Sequence, residues 1–297
     1  MTGHKFKLQM DEHNWLFAHA SVIGNSHISE NIPCQDDSKF ENYKNFSIAV
    51  VCDGAGSCSH SDIGSKLVTE YCIYHFEKLI KSKKWDKSKK LPNKELWHKS
   101  AKETLFSIKL DLENYSINNE LDFKSLSCTV IVTIALKNGL LVTHIGDGRA
   151  GYCNFKDEWF PTIIPCHGEE ANQTIFITSD IWNEEIIDNY IESNVIEEKV
   201  KAFCLLSDGC EKASFECNLF DQENEKYYDP NKPYELFFNP NVKILPQLYE
   251  QKKTQEEINS LWAKFLTDGN EKLKVEPDDK TMILGVRFIK ESIIENV

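Results

Sequence analysis

The chain has 297 residues, of which 41% are hydrophobic and 27% are charged, a composition typical of a globular protein with a sizeable core. Its net charge of −13 and its only two arginines, Arg149 and Arg287, make it a poor candidate for binding nucleic acid. The N-terminus lacks the apolar core of a signal peptide, and the longest apolar run (129–136) is too short to span a membrane. We therefore expect a soluble, cytoplasmic protein without nucleic-acid or membrane partners.

The first half of the chain predicts strands followed by two long helices. Apolar runs predict strands over residues 16–22 and 46–51. Ser59 or Ser61 then offers an N-cap for a helix with apolar residues at helical spacing. A second amphipathic helix is predicted over 96–112.

The second half predicts a hairpin and further strands. Strands over 129–134 and 140–145 flank Asn138-Gly139, a dipeptide that accepts the positive φ of a tight turn. Residues 214–247 are rich in Asn, Asp, Pro and aromatic residues without a clear period, which predicts an irregular insertion near the site. Hairpin-connected strands with separate helices indicate an α+β fold, and we predict a single domain over 1–297. The other expected elements are strands over 150–155, 174–178, 201–206 and 281–289 and a helix over 258–265.

Four aspartates stand beside predicted strands, and three of them come directly after a hydrophobic run. A strand that ends in Asp-Gly places a carboxylate at the edge of a sheet, and the glycine allows a sharp turn and a close approach to a ligand. Several carboxylates that converge in this way favour Mg²⁺ or Mn²⁺. The motifs are IAVVCDGAGS around Asp53, LVTHIGDGRAGY around Asp147, AFCLLSDGC around Asp208 and PDDKTMILGV around Asp278.

The cysteines indicate neither a zinc site nor cysteine-based phosphate chemistry. The chain has ten cysteines but no pair spaced as CxxC, so a structural zinc site is not expected. A phosphatase with a cysteine nucleophile needs that cysteine six positions before an arginine. The residues at those positions are Thr143, before Arg149, and Thr281, before Arg287.

The order of the aspartate motifs resembles that of the type 2C metal-dependent serine/threonine protein phosphatases (the PPM family), in their bacterial form. The stretch GNSHISENIPCQDDS, which contains Asp36, is similar to the first acidic motif of that family. The resemblance runs from about Val22 to Val286. It implies an α-β-β-α sandwich, in which two antiparallel sheets are flanked by helices.

The resemblance implies two bound ions, Mn²⁺ or Mg²⁺. Asp53 would bridge both ions, and Gly54 would add its backbone carbonyl. Asp208 and Asp278 would complete the coordination shell of one ion. For each aspartate, the alternative is an ordinary turn residue that caps or solvates a loop.

Two further aspartates have outlying roles in the same scheme. Asp36 would hold metal-bound water from the outer shell, and Asp147 would help to hold a weaker third ion. The predicted catalytic residues are Asp53, Asp208, Asp278 and Asp36, and the predicted metal-binding residues are these four together with Gly54 and Asp147.

The implied reaction is hydrolysis of phosphoserine or phosphothreonine in a protein. A water or hydroxide that bridges the two ions would attack phosphorus in line with the leaving oxygen, without a covalent enzyme intermediate. The implied partners are a phosphorylated protein substrate and the cognate kinase that phosphorylates it.

The chain departs from the family pattern at three positions. The first motif has no counterpart of the phosphate-binding arginine, and His27 there is either a phosphate contact as a charged imidazole or an ordinary loop histidine. Ala55 stands where eukaryotic-type members carry a histidine, which leaves metal-bound water, His60 or His144 as the proton donor. Asp279 stands where asparagine is usual.

Two other functions stay open on these patterns. The missing arginine and the aromatic insertion fit a catalytically weakened, phosphatase-like regulatory binding module, although the intact Asp53, Asp208 and Asp278 argue against it. A hydrolase of small phosphoesters would use the same metal site. A metal-dependent nuclease fits poorly with the net charge of −13.

Overall fold

Two five-stranded antiparallel sheets form the centre of the structure, a computed structural model that describes residues 15–166, 174–183, 186–222 and 224–288. The strands in chain order are β1 (Trp15–Val22), β2 (Asp37–Asn42), β3 (Phe46–Cys52), β4 (Val130–Leu136), β5 (Gly139–Ile145), β6 (Arg149–Asn154), β7 (Trp159–Pro161), β8 (Glu192–Ile196), β9 (Val200–Leu206), β10 (Phe215–Glu216), β11 (Leu219–Asp221), β12 (Lys226–Tyr228), β13 (Lys232–Pro233) and β14 (Lys280–Arg287). The first sheet has the order β1-β14-β9-β6-β7, and the second has the order β2-β3-β4-β5-β8. Separate two-stranded pairs join β10 to β13 and β11 to β12.

Helices cover the outer faces of both sheets. In chain order they are α1 (Asn25–Glu30), α2 (Ser61–Ser82), α3 (Lys94–Asn118), α4 (Glu211–Ser214), α5 (Glu235–Glu250), α6 (Gln255–Asp268) and α7 (Glu271–Val275), with 3₁₀ turns at Trp85–Lys87, Phe123–Leu126, Ile187–Asn189 and Asp208–Cys210. Helices α2 and α3 pack on the second sheet, and α5 and α6 pack on the first. No helix within the described ranges has the length and apolarity needed to cross a membrane.

The central strands are apolar on both faces because each sheet is covered on both sides. In β3, Ile48, Val50 and Cys52 pack against α2 and α3, whereas Ala49 and Val51 pack between the two sheets. This double burial explains the unbroken apolar run of that strand. The layers are therefore helix, sheet, sheet and helix, and the predicted α-β-β-α sandwich is confirmed.

Two predictions of local structure were wrong. Residues 174–178 form a loop instead of a strand. The apolar residues Ile175 and Ile177 that suggested a strand are buried in the core beneath α2 and α3 without belonging to a strand. No serine caps α2, because its N-cap is His60, which makes no side-chain capping bond. The last residue of the predicted final strand, 289, lies outside the described residues.

Part of the segment predicted to be irregular, 214–247, is helical. Short strands β10 to β13 occupy its first half, but α5 then runs from Glu235 through the rest of the segment. Pro240 and Pro246 lie inside α5, and a proline within a helix removes a backbone hydrogen bond, so the composition argued against a helix there. Burial of one face stabilises α5 nonetheless, and the buried residues are Phe237, Phe238, Val242 and Leu245.

Candidate active site

Strand pairing brings the aspartates of the motifs together. Because β2 pairs with β3, Asp36, just before β2, and Asp53, just after β3, leave the second sheet at the same end. Because β9 pairs with β14, Asp208, after β9, and Asp278, before β14, leave the first sheet side by side. Asp147 follows β5. We call these five residues the aspartate cluster.

Burial and neighbouring carboxylates raise the pKa of Asp53 and of Asp208. Burial raises the pKa of Asp53 well above its usual range, and repulsion from Asp36, Asp208, Asp147 and Asp278 raises it further. Burial, followed by repulsion from Asp278 and Asp147, raises the pKa of Asp208 to about 7, although a hydrogen bond with Asp53 opposes this shift. Like charges gathered in a buried space favour the binding of cations among them.

The donor set fits hard divalent ions, although the side chains do not form a finished cage. Within the described ranges, no three acidic, histidine or cysteine side chains converge closely enough to hold one ion as they stand. Like charges repel when no cation lies between them. Carboxylates whose charges act on one another, as those around Asp53 do, are therefore expected to stay apart until an ion binds. Carboxylate oxygens are the ligands that Mg²⁺ and Mn²⁺ prefer. The aspartate cluster therefore suits the ions that the resemblance implies.

Asp36 is oriented by Ser207, a residue that no sequence pattern indicated. The hydroxyl of Ser207 donates to Oδ2 of Asp36 at 2.7 Å and accepts a hydrogen bond from the backbone N–H of Thr281 at 3.1 Å. Burial raises the pKa of Asp36 to about 8, and the bond from Ser207 opposes that shift. The one feature of the sequence that could have indicated Ser207 is its place between the apolar end of β9 and Asp208.

Asp147 is half-buried and is tied to the loop that was mistaken for a strand. Its Oδ2 accepts a hydrogen bond of 2.6 Å from Oγ1 of Thr174. The following residues of that loop are anchored in the core by Ile175 and Ile177. The loop therefore holds the carboxylate of Asp147 in place.

Two glycines allow the motif segments to approach each other closely. A β-carbon added at Gly209 would lie 1.9 Å from the carbonyl oxygen of Asp279, and one added at Gly24 would lie 2.3 Å from that of Pro277. Any side chain at either position would therefore push the backbone of 277–279 away from its neighbours. In these motifs glycine therefore allows close packing between segments as well as a sharp turn of the chain.

Both arginines of the chain are engaged in structural contacts. The buried Arg149 donates to Glu211 at 2.9 Å through Nε and to Asp229 at 2.7 Å through a terminal nitrogen. The guanidinium of Arg287 lies 4.9 Å from the ring centre of Trp15 and donates to backbone carbonyls. The aspartate cluster therefore offers no arginine to a phosphoryl group.

His27 lies in α1, beside the last motif. The backbone N–H of Ser26 donates to the carbonyl of Pro277 at 3.0 Å, which places α1 against that segment. Nδ1 of His27 is 3.0 Å from Oδ1 of Asp279, whose side chain is only 2% exposed. Asp278, in contrast, is exposed and interacts with the aspartate cluster.

His60 and His144, the two histidines considered as proton donors, lie in different environments. Nδ1 of His60 lies 2.9 Å from the hydroxyl of Ser59 and 3.2 Å from that of Ser125. His144 is fully buried in β5, and burial lowers its pKa. A buried neutral ring is a poor proton donor, so the structure gives no support to His144 in that role.

A groove of about 810 Å³ is lined in part by residues that stand near Asp208 and Asp278 in the chain. Lys212, four residues after Asp208, lines one part, and Pro277, directly before Asp278, lines another. The hairpin of β11 and β12 carries exposed aromatic rings and lies close in the chain to residues that line the groove. The apolar residues of the lining are Ala213, Phe215, Leu219, Tyr234, Val275 and Pro277.

Known proteins are similar to this chain in sequence and in fold. A family model described as Protein phosphatase 2C matches residues 23–256. Serine/threonine-protein phosphatase 3 from Escherichia coli (strain K12) is 26% identical over 281 residues, which cover 92% of this chain and 98% of that protein. The structure of serine/threonine phosphatase Stp1 from Staphylococcus aureus, at 15% identity, covers 98% of this chain and 100% of its own with a TM-score of 0.53. The catalytic domain of serine/threonine protein phosphatase PstP, solved with two manganese ions, is 12% identical, with a TM-score of 0.52 and coverage of 92% and 97%.

Proposed function

This chain belongs to the protein phosphatase 2C family and is a metal-dependent serine/threonine protein phosphatase, and we propose that the aspartate cluster is its active site. One observation supports this most strongly. Asp53 is half-buried among four other aspartates that come from separate segments, and desolvation together with repulsion from those carboxylates raises its pKa. Partly buried carboxylates that serve structure alone are ordinarily paired with cationic side chains, whereas both arginines are engaged elsewhere.

Each ligand role is the one that the resemblance implies, and the positions in the aspartate cluster support it. Asp53, whose charge interacts with those of all the other members, would hold both ions, and the carbonyl of Gly54 would add to the same shell. Asp208 and Asp278, side by side at the end of the first sheet, would complete the shell of one ion. Bound ions would supply Lewis-acid chemistry that activates water and offsets the charge on the phosphoryl oxygens.

Asp36 and Asp147 would have outlying roles at this site. Asp36, whose carboxylate is oriented by a hydrogen bond from Ser207, would hold water in the outer shell. Asp147, tied to Thr174, would help to hold a weaker third ion. We assign the two main ions as Mn²⁺ or Mg²⁺, in line with the two manganese ions of PstP.

The substrate is a phosphorylated protein, and its phosphoryl group must be supplied by a protein kinase. The groove lined in part by Lys212 and Pro277 gives room for the polypeptide on either side of the phosphorylated residue. The proposal includes a cytoplasmic location, a single domain over the whole chain, and contact between His27 and the phosphoryl group.

The deciding experiment measures phosphate release from a phosphothreonine peptide with Mn²⁺, Mg²⁺ or EDTA. Turnover is expected with either metal and not with EDTA. Asp53→Asn and Asp208→Asn are each expected to lower kcat more than about 100-fold, because changes in the outer shell of a metal site alone cost about 10–100-fold.

The matched control is Asp180→Asn. The side chain of Asp180 is 86% exposed and forms an ion pair with Lys124, so this change should leave turnover intact. Unchanged turnover in the variants of Asp53 and Asp208 would remove the aspartate cluster as the active site.

A further inference from the structure

Asp279 joins the first and last motifs through three contacts. Its Oδ1 accepts a hydrogen bond from the backbone N–H of Gly24 at 2.7 Å, and its Oδ2 accepts one from that of Gln35 at 2.6 Å. Nδ1 of His27 lies 3.0 Å from Oδ1. One buried carboxylate therefore fixes both ends of the segment that carries His27 and, directly after Gln35, Asp36.

A carboxylate suits this position better than an amide. The two backbone donors, at Gly24 and Gln35, each need an acceptor, and a carboxylate has an acceptor on both oxygens. Asparagine has a single acceptor oxygen, and its amide nitrogen would face one of the N–H groups. The aspartate found where the family pattern leads one to expect asparagine thus has a specific role in this chain.

The same contacts determine where the ring of His27 can point. Nδ1 is buried, so the 12% of the side chain that is exposed lies away from Asp279. Helix α1 is pressed against the segment before Asp278, because Ser26 donates to the carbonyl of Pro277 through both its backbone N–H and its hydroxyl, at 3.0 and 2.6 Å. The backbone of α1 therefore holds the ring next to the last motif, where Nδ1 lies within ion-pairing distance of the Asp279 carboxylate without a hydrogen bond of normal geometry.

We propose that Asp279 is a positioning residue that holds His27 as the phosphate-binding cation of this site, in place of an arginine. The inference rests on the proposed function, because it names the group that contacts the phosphoryl oxygens of the same substrate. The imidazolium donates to the phosphoryl group through the edge that faces away from Asp279, while the carboxylate keeps the opposite edge in place. His27 and Asp279 then do together what a guanidinium does alone.

The test is a double-mutant cycle on the full chain loaded with Mn²⁺. His27→Ala and Asp279→Asn are each expected to raise KM for a phosphothreonine peptide about 10-fold, as for a lost hydrogen bond to a charged group. The value of kcat should change less than about 3-fold in His27→Ala and should fall further in Asp279→Asn, because Asp279 also fixes the backbone directly before Asp36. The KM of the double variant is expected to be no higher than that of either single variant, because Asp279 acts on phosphate binding through His27. Binding of inorganic phosphate, measured by calorimetry, is expected to weaken to the same extent without any need for turnover.

A rescue separates positioning from simple stabilisation. His27→Arg in the background of Asp279→Asn is expected to restore KM, because a guanidinium binds phosphate without a carboxylate to orient it. The matched control is the pair of His75 and Asp111, 2.6 Å apart on α2 and α3. The corresponding changes His75→Ala and Asp111→Asn should leave KM and phosphate binding unchanged.

Additive effects of the two changes, or failure of arginine to restore KM, would overturn the proposal. Unchanged phosphate affinity in His27→Ala would overturn it even if Asp279→Asn failed to fold. If the wild-type protein released no phosphate from any phosphoester, the proposed function would fail, whereas the phosphate-binding comparison would still decide the role of His27 and Asp279.

Discussion

At Asp36 and Asp208, burial and neighbouring carboxylates make ionisation costly while no metal is bound. Their pKa values are raised from 3.8 to about 8 and to about 7. Between the unfolded and folded pKa values, the folded state keeps protons that the unfolded chain has lost. The free energy of unfolding of the metal-free protein therefore falls as the pH rises from about 4 to about 8.

The share of this pH dependence that comes from Asp36 can be measured separately. Asp36→Asn keeps the size of the side chain but removes the titration, so the fall in stability between pH 5.5 and 7.5 should become shallower, by at most about 1.4 kcal/mol per pH unit. Urea unfolding in EDTA at the two pH values measures it. Parallel pH dependences for the wild type and the variant would contradict the raised pKa of Asp36.

At the scale of elements, α5 is held to the first sheet by its aromatic face. Phe238 is fully buried, stacks on Trp159 at 4.6 Å between ring centres and meets the edge of Phe215 at 6.2 Å. These contacts stabilise a helix that contains two prolines. The helix therefore depends on tertiary packing more than on its own propensity.

Phe238→Ala is expected to lower the free energy of unfolding by about 3–5 kcal/mol, because it leaves a cavity and removes the ring contacts. Leu236→Ala in the same helix is the control, since Leu236 is 74% exposed and its loss should cost less than about 0.5 kcal/mol. Equal losses in denaturant unfolding would show that α5 is not anchored through Phe238.

The two strands of the second sheet that sequence patterns missed, β2 and β8, were missed for the same physical reason. Strands β2 and β8 are the two edges of the second sheet, and their sequences DSKFEN and ESNVI are only partly buried, so they carry no apolar run. The central strands β3, β4 and β5 were predictable because both of their faces are buried. The fold class and the Asp-Gly strand ends were thus within reach of the sequence. The contacts of Ser207 and Asp279 were not, because they join residues far apart in the chain.

For the whole molecule, metal binding should contribute directly to stability. The chain carries a net charge of −13, and the aspartate cluster gathers five of its carboxylates close together. A ligand that binds only the folded state at 100 times its Kd stabilises that state by about 2.7 kcal/mol. Removal of metal is therefore expected to destabilise the entire sandwich.

Mn²⁺ in that excess should raise Tm by about 4 °C in a calorimetric scan. Asp53→Asn should remove most of the increase, and Asp180→Asn should not. Sodium chloride at equal ionic strength tests whether screening of the net charge explains the effect. An equal rise in Tm with sodium chloride would contradict specific binding.

The place of β14 in the first sheet has a consequence for synthesis on the ribosome. This strand lies between β1 and β9, and its register pairs Val22 with Lys280. The N-terminal strand therefore has no partner until nearly the last segment of the sheet has been translated. Asp278 arrives with that same segment, so the proposed active site is complete only when the sheet closes. If the proposal holds, unfinished chains stalled before β14 are unable to remove phosphate.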